Sequence, residues 1–352
     1  MAQQHLDPTN PAAEAVTGDA LAGYLRAQAT EFLRALRLHR ETGGQAAGPE
    51  EPVDAARALR RSARRISASL HTFRPLLDPG WSEEMRPELA WLSGTLGLEH
   101  AYEARLERLL LALHRLSGTT VFPAQAVTAP ENTGGPATAT ATAERANLTV
   151  GAAKAGALLE RQLTLARTRA HSTALQALGS SRFHAVADKV AVLASEVPLT
   201  PTAPATTLHP LAAAAEERLT DAVTALPLVT AGHPYNAETL VHGLSPDPSP
   251  HPQDSPWHQV RLLLRLHRYA REVLLGGNAP VDVRLLTAGQ ALNRHRDASE
   301  AAAAAAQAAR TPRITPATAY ALGVLHADQR HEVEAARFAF QQAWQKQTVP
   351  AP

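Results

Sequence analysis

The stretch VDAARALRRSARRISASLHTFRPLL, residues 53–77, decides the fold because it combines a packing face with a densely cationic face. On a helix, at about 100° per residue, its large apolar side chains gather on one side: Leu59, Ile66, Leu70 and Phe73. The other side carries five arginines within nine positions: Arg57, Arg60, Arg61, Arg64 and Arg65. Only Asp54 is near enough to offset them, so they repel one another unless an anion lies opposite. The stretch therefore predicts an amphipathic helix with one side suited to an anion.

The composition predicts an all-α protein. Hydrophobic residues make up 45% of the 352 residues, but aromatic residues only 4%, and Ala, Leu and Val supply much of the apolar share. No run of β-branched and aromatic residues alternates with period two, so no strand is expected. The length suffices for two compact domains or one large duplicated one.

Several function classes are excluded by what the chain lacks. It contains no cysteine, which removes disulfides, thiolate metal sites and cysteine nucleophiles. Its apolar runs are far shorter than the roughly 20 residues of a membrane span, and no signal segment is recognised, so a cytoplasmic protein without a membrane partner is expected. The formal net charge is only +1, so an anion site must be local.

Breaker-rich segments divide the chain into helical stretches. We expect a disordered N-terminus over 1–17, a helical domain over 18–347 and a C-terminal tail over 348–352. Pro198, Pro201 and Pro204 mark the clearest internal boundary, which separates the halves 18–199 and 208–347. Flexible loops are predicted over 118–150 and 233–256, and Ser82 is predicted to cap a helix over 82–94.

The second half repeats the basic helix of the first. In the segment 257–275, basic side chains recur along one flank of the predicted helix: His258, Arg261, Arg265 and Arg268. One cationic helix in each half indicates an internal duplication.

At this level of pattern the chain resembles the CHAD family, the conserved histidine α-helical domain. The segment FRPLL (73–77) follows the first basic helix as in the family, and His258 to Glu272 follow the pattern of the family's second basic helix. Further similar segments are LGSSRF (178–183), RHRDA (294–298) and ATAYALGVLHADQR (317–330). The resemblance implies an all-α fold of two pseudo-symmetric antiparallel helical bundles. Their basic helices are expected to line a basic central groove that binds inorganic polyphosphate.

The chain also departs from the family pattern. Arg57 stands where the first motif has histidine, and Ser67 stands where it has arginine. In the second motif, Leu262 and Leu266 replace cationic residues. We therefore interpret the chain as a divergent, stand-alone member whose polyphosphate affinity is reduced or whose ligand has changed.

The basic pattern and the resemblance together give a set of candidate polyphosphate-binding residues: Arg57, Arg60, Arg61, Arg64, Arg65, His258, Arg261, Arg265, Arg268, Lys154, Arg161 and Arg296. A solvated outer helix face is the alternative for the first helix, and Arg296 with Asp297 is also explained by a structural ion pair. Arg105 and Arg337 are expected to lie outside the groove.

Three functions are consistent with these residues. The first is non-catalytic binding of inorganic polyphosphate, with recruitment to polyphosphate granules. The second is a metal-dependent enzyme that processes polyphosphate or triphosphate, for which no catalytic residue, metal ligand or cofactor site can be assigned. The third is a scaffold for an acidic protein partner. Specific nucleic-acid binding is not expected, since few aromatic side chains are available to stack on bases.

Overall fold

The computed structural model describes residues 16–43, 50–118, 136–233, 243–244, 251–276 and 280–345, with the side chains of 42–43, 50–54 and 136–148 left undescribed. The predicted all-α class is confirmed: within these ranges no β-sheet forms, and only Thr17 with Thr207 and Leu77 with Leu199 make isolated bridges. The described helices are α1 (Gly18–Gly43), α2 (Glu50–Thr72), α3 (Pro79–Thr95), α4 (Leu98–Leu116), α5 (Pro136–Leu178), α6 (Ser181–Ser195), α7 (His209–Thr224), α8 (Leu228–Ala231), α9 (Ser255–Leu275), α10 (Val283–Ala309) and α11 (Pro316–Gln345).

The start of α3 corrects a sequence-based prediction. Ser82 is buried inside the helix, not at its N-cap. The capping side chain is Asp78, whose Oδ1 accepts a hydrogen bond from the backbone N–H of Trp81 at 2.7 Å. Pro79 takes the first helical position, where its missing N–H costs nothing. The helix therefore begins three residues earlier than predicted.

The predicted loop over 118–150 is too long at its C-terminal end, because α5 already begins at Pro136. Alanine-rich sequence after a first-position proline favours a helix over a loop. Residues 119–135 lie outside the described residues, as do most of the predicted loop 233–256 and the tail 348–352. Of the predicted disordered N-terminus only Val16 and Thr17 are described, and the carbonyl of Val16 accepts a hydrogen bond from the N–H of Leu208 at 2.9 Å.

The chain forms two compact units, each assembled from three segments. Unit 1 comprises residues 1–94, 179–218 and 266–280, and unit 2 comprises 95–178, 219–265 and 281–352. The boundaries therefore fall inside α7 and inside α9. These units group residues by proximity and do not test the predicted duplication of the halves 18–199 and 208–347, which stays a prediction.

Unit 1 is built around α1, α2 and α6. The predicted packing face of α2 is confirmed, because Leu59, Ile66, Leu70 and Phe73 are fully buried. After α2, a short 3-10 turn at Arg74–Leu76 leads into an extended segment. The backbone carbonyl of Leu76 accepts a hydrogen bond from the N–H of Thr200 at 2.9 Å. This contact fixes the path of the chain after α2.

Unit 2 is built around the long helices α10 and α11, which pack along each other. One of its cores joins α4, α5, α10 and α11 through leucines and the buried alanines of the run after residue 300. A second core places Trp257 edge-on to Phe340, with ring centroids 5.7 Å apart. Small side chains let the helix backbones approach closely. No helix in the described part of the chain is long and apolar enough to span a membrane.

A close approach of α5 to α11 at Gly151 gives a stability prediction. A Cβ added at Gly151 would overlap the carbonyl oxygen of Ala317 and lie 3.3 Å from the Cβ of Ala321, whereas one added at Gly323 meets nothing within 4 Å. Gly151→Ala should therefore lower the free energy of unfolding by about 1–3 kcal/mol. The control Gly323→Ala should raise it by up to about 1 kcal/mol, because alanine favours a helix. Urea denaturation of both variants is the test, and equal effects would contradict the close packing.

Candidate functional site

The cationic face of α2 lies in unit 1, and its arginines differ in their surroundings. Arg57 and Arg61 are exposed, whereas Arg60 and Arg64 are half-buried. The Nε atoms of Arg60 and Arg64 donate to the carbonyl oxygen and the Oγ of Ser93, at 3.1 and 2.9 Å. Ser93 lies in the last turn of α3, where carbonyl groups lack intrahelical partners and the helix dipole attracts cations. Because Ser93 is uncharged, these contacts orient the guanidinium groups and leave their charge intact.

Arg65 has a different environment from the other four. Its Nε donates to Oε2 of Glu272 at 2.8 Å, and the hydroxyl of Tyr24 donates to the same oxygen at 3.1 Å. The guanidinium carbon also lies 5.4 Å from the ring centroid of Tyr269. Burial and the neighbouring charge of Glu272 raise the pKa of Tyr24, so its hydroxyl stays protonated. Arg65 therefore joins α1, α2 and α9 within unit 1, and its charge is balanced by Glu272.

The predicted site residues of unit 2 differ in their burial and in their hydrogen-bond partners. His258 is half-buried, its ring lies edge-on to His295 with centroids 5.5 Å apart, and burial lowers its pKa. The Nε of Arg261 donates to Oδ1 of Asn293 at 2.9 Å, and the Nε of Arg296 donates to Oδ1 of Asp297 at the same distance. The ion pair at Arg296 agrees with the structural alternative considered for it.

The candidates thus fall into both units. Unit 1 contains the α2 arginines together with Arg268, which is exposed near the end of α9. Unit 2 contains the rest: Lys154, Arg161, His258, Arg261, Arg265 and Arg296. Lys154 and Arg161 are exposed on α5, and Arg265 is half-buried. The common groove between two basic helices stays a prediction.

Sequence reasoning missed a buried polar cluster in unit 2. Its centre is Asp254, which has no exposed surface. The carboxylate of Asp254 accepts hydrogen bonds from Arg330 Nη1 at 2.7 Å, from Arg337 Nη2 at 2.7 Å and from the hydroxyl of Ser299 at 2.5 Å. Arg337 also contacts Glu334 Oε1 at 2.8 Å, so two arginines balance two carboxylates. Arg337 is therefore a core residue. Its position outside the predicted groove stays a prediction.

The buried charge of Asp254 is tolerated only because cationic side chains pair with it. Burial alone would raise the pKa of Asp254, but the hydrogen bond and the positive charge of Arg330 outweigh it and hold the pKa well below its usual range. Burial lowers the pKa of His295 to about 4, in keeping with an Nε2 that accepts a hydrogen bond from Arg337 Nε at 3.3 Å. His295 is thus neutral at pH 7.

The sequence contained a weak signal for this cluster. Arg330, Glu334 and Arg337 recur at spacings of four and three, so they share one face of α11 with the apolar Val333 and Phe340. Charged residues among buried ones indicate internal ion pairs. Asp254 had no such signal, because it lies in a short 3-10 turn before α9. Among the described side chains no three His, Asp or Glu residues are grouped as metal ligands would be, and the absence of a metal site stays a prediction.

A model of the CHAD domain matches residues 27–277, which is more than half of the chain and includes both basic helices. The chain belongs to the CHAD family. The match ends before α10 and α11, so the partners of Asp254 on these helices lie beyond the matched part of this CHAD protein.

Two solved structures are similar to this CHAD protein. PptA from Streptomyces chartreusis is 72% identical, with a TM-score of 0.77, over 94% of this chain and 100% of that one. The CHAD domain from the plant Ricinus communis is 16% identical, with a TM-score of 0.46, over 96% of each chain. No curated protein sequence matches the chain.

The Arg65 contact predicts a stability effect. Removing the cation leaves Glu272, whose side chain is only 28% exposed, without its ion pair. Arg65→Gln should lower the free energy of unfolding by about 1–2 kcal/mol. The control Arg61→Gln, one turn away and exposed, should change it by less than about 0.5 kcal/mol. Urea denaturation and a double-mutant cycle with Glu272→Gln test the pair, and additive single effects would contradict the coupling.

The neutral state of His295 predicts how stability depends on pH. Between the ordinary pKa of 6.5 and about 4, the unfolded chain binds a proton that folded His295 does not. The free energy of unfolding should therefore fall as pH drops through this window, by up to about 3 kcal/mol from this residue. Glu334 acts in the opposite sense, since burial raises its pKa.

The contribution of His295 is isolated by comparing variants. His295→Gln should show a flatter pH dependence than the parent above pH 4.5, while His114→Gln, at an exposed histidine of α4, should keep the parent slope. Imidazole NMR shifts report the titration directly in the folded parent protein. A midpoint at 6.5 for His295 would contradict the prediction.

Proposed function

We propose that this CHAD protein binds inorganic polyphosphate non-covalently and does not cleave it. The observation that carries the proposal is the cationic face of α2, where five arginines follow one another on a helix without any carboxylate between Asp54 and Asp78. Membership of the CHAD family supports the same ligand. Polyphosphate carries about one negative charge per phosphate, and the planar guanidinium group suits bidentate contacts to phosphate oxygens.

The geometry of α2 supports a division of roles among these arginines. Arg57 and Arg61 are exposed and can follow a flexible chain of phosphates. Arg60 and Arg64 are oriented through Ser93, which lowers the entropy lost when a phosphate binds. Arg65 contributes less, since Glu272 balances its charge. The proposed unit 1 surface therefore consists of Arg57, Arg60, Arg61 and Arg64.

The helix α9 supports a weaker contribution. Its Arg268 is exposed and can contact a ligand. Two other positions at which the family pattern has cations are leucines here, the exposed Leu262 and the buried Leu266. His258 is mostly neutral at pH 7, because burial lowers its pKa. Its protonation at acidic pH would add a positive charge near Arg261 and Arg296, so polyphosphate binding on this side strengthens as pH falls.

Binding without catalysis is the simpler reading of the described residues. Hydrolysis of a phosphoanhydride needs a positioned nucleophile and stabilisation of the developing negative charge, usually by divalent metal ions held by carboxylates. Between Asp54 and Asp78 the cationic stretch of α2 offers no carboxylate to hold such an ion. Recruitment to polyphosphate granules would follow from binding alone. Phosphate release from long-chain polyphosphate, measured with and without Mg²⁺, tests this part, and sustained release would contradict it.

The binding proposal predicts which cations matter. Isothermal titration with long-chain polyphosphate at low salt should give heat, and the affinity should fall steeply with salt because bound counterions are released. Arg57→Gln with Arg61→Gln should weaken binding and reduce the slope of log affinity against log salt by about two, one for each lost contact. Lys154→Gln with Arg161→Gln tests the α5 candidates of unit 2 in the same way.

The matched control is Arg26→Gln with Arg169→Gln, which removes two exposed arginines from α1 and α5. These positions lie outside the proposed surface, so only the small effect of a net charge change is expected. No heat with the parent protein at low salt overturns the binding proposal. Equal losses in the Arg57 and Arg61 variant and in the control variant mean that binding is diffuse and not located on α2.

A further inference from the structure

A second group of basic side chains lies at the C-terminal end of α2, away from the proposed unit 1 surface. Its members come from different elements of unit 1: His71 in the last turn of α2, Arg74 in the 3-10 turn that follows, Arg86 on α3 and Arg218 on α7. His71 is two helical turns beyond Arg64, which is about 10 Å along the helix. The part of α2 between them is mostly buried, so the two groups of cations form separate surfaces.

Contacts and charges show that these side chains come together. Arg74 Nε lies 2.8 Å and Arg86 Nη1 lies 3.5 Å from the same oxygen, Oε1 of Glu83. Burial lowers the pKa of His71. Nearby positive charges lower it further, and they belong to Arg86, Arg218 and Arg74, whereas Glu83 acts in the opposite sense. Guanidinium groups from the 3-10 turn, from α3 and from α7 therefore act on one imidazole.

The acidic groups nearby do not balance these cations. Glu83 contacts Arg74 and Arg86 at once, so a single carboxylate serves two guanidinium groups. Arg218 is exposed and forms no hydrogen bond or ion pair within the described part of the chain, not even with Asp221 one turn further along α7. The carbonyl end of α2 contributes about half a negative charge, which is less than the excess of cations. The group therefore keeps a positive potential.

We propose that this group is a second anion site, which binds a compact dianion such as a single phosphate group through Arg218, Arg86 and His71. Guanidinium groups donate paired hydrogen bonds to phosphate oxygens, and an imidazole donates one more. On the proposed unit 1 surface the arginines follow one another along a helix and suit an extended chain. Here cations from separate elements meet at one place, which suits a compact ligand of high charge. Free phosphate and the terminal phosphate of a polyphosphate chain share this chemistry.

The site should couple anion binding to the protonation of His71. Without a ligand, the three neighbouring guanidinium groups disfavour the imidazolium form. A bound dianion offsets their charge, so the pKa of His71 rises on binding and a proton is taken up. The affinity for an anion of constant charge should therefore increase as the pH falls through about 6.5.

The test is isothermal titration of the full-length chain at low salt with sulfate, which keeps its two negative charges over the working pH range. A dissociation constant of about 1 mM or tighter is expected at about pH 5.5, with binding at least about threefold weaker at about pH 8. Arg218→Gln should weaken sulfate binding at least about fivefold. His71→Gln should remove the pH dependence. Glu83→Gln should strengthen binding about threefold, because it removes a repelling charge.

The controls separate this inference from the polyphosphate proposal. Arg26→Gln removes an exposed arginine from α1 and His114→Gln an exposed histidine from α4, and both variants should bind sulfate as the parent does. Arg57→Gln with Arg61→Gln should also keep sulfate binding. Conversely, Arg218→Gln should keep the binding of long-chain polyphosphate, which has few ends for its many internal phosphates.

Two further ligands identify the source of the phosphate group. Arg218-dependent binding of tripolyphosphate but not of cyclic trimetaphosphate, which has no ends, points to chain ends. Arg218-dependent binding of inorganic phosphate as tight as that of tripolyphosphate points to the free ion. The inference is overturned if sulfate gives no heat at about 10 mM and about pH 5.5, if Arg218→Gln binds as the parent does, or if Glu83→Gln weakens binding.

Discussion

The buried carboxylate of Asp254 is the constraint on which the packing of unit 2 depends. An ionised carboxylate without exposed surface is tolerated only if cations and hydrogen-bond donors surround it, and Arg330, Arg337 and Ser299 supply them. These donors come from α10 and α11, so the pairing fixes the turn before α9 against both long helices. Trp257 stacks on His295 with ring centroids 5.6 Å apart, and Phe340 packs edge-on to Trp257. Loss of one partner would leave a buried charge, which costs more than the contact contributes.

Unit 1 uses charge in a different way, because its arginines surround one exposed helix face. Arg65 is held by Glu272 on one flank, and Arg60 and Arg64 are held through Ser93 on the other. Anchoring on both flanks fixes the rotation of α2 and directs Arg57 and Arg61 outward. The basic pattern therefore contains arginines with a structural role as well as those proposed to bind ligand. Substituting all of them at once would not distinguish loss of fold from loss of binding.

The sequence by itself determined the helical class, the two basic helices, the packing face of α2 and the family. These depend on local propensity and periodicity, which are readable without the rest of the chain. It also located the basic residues, but not which of them are structural, since Glu272 and Ser93 are distant from α2 in sequence. The cap at Asp78, the start of α5 and the burial of Arg337 were likewise missed. Only the tertiary structure decided them, because burial and the pairing of charges depend on which helices come together, and no local pattern records that.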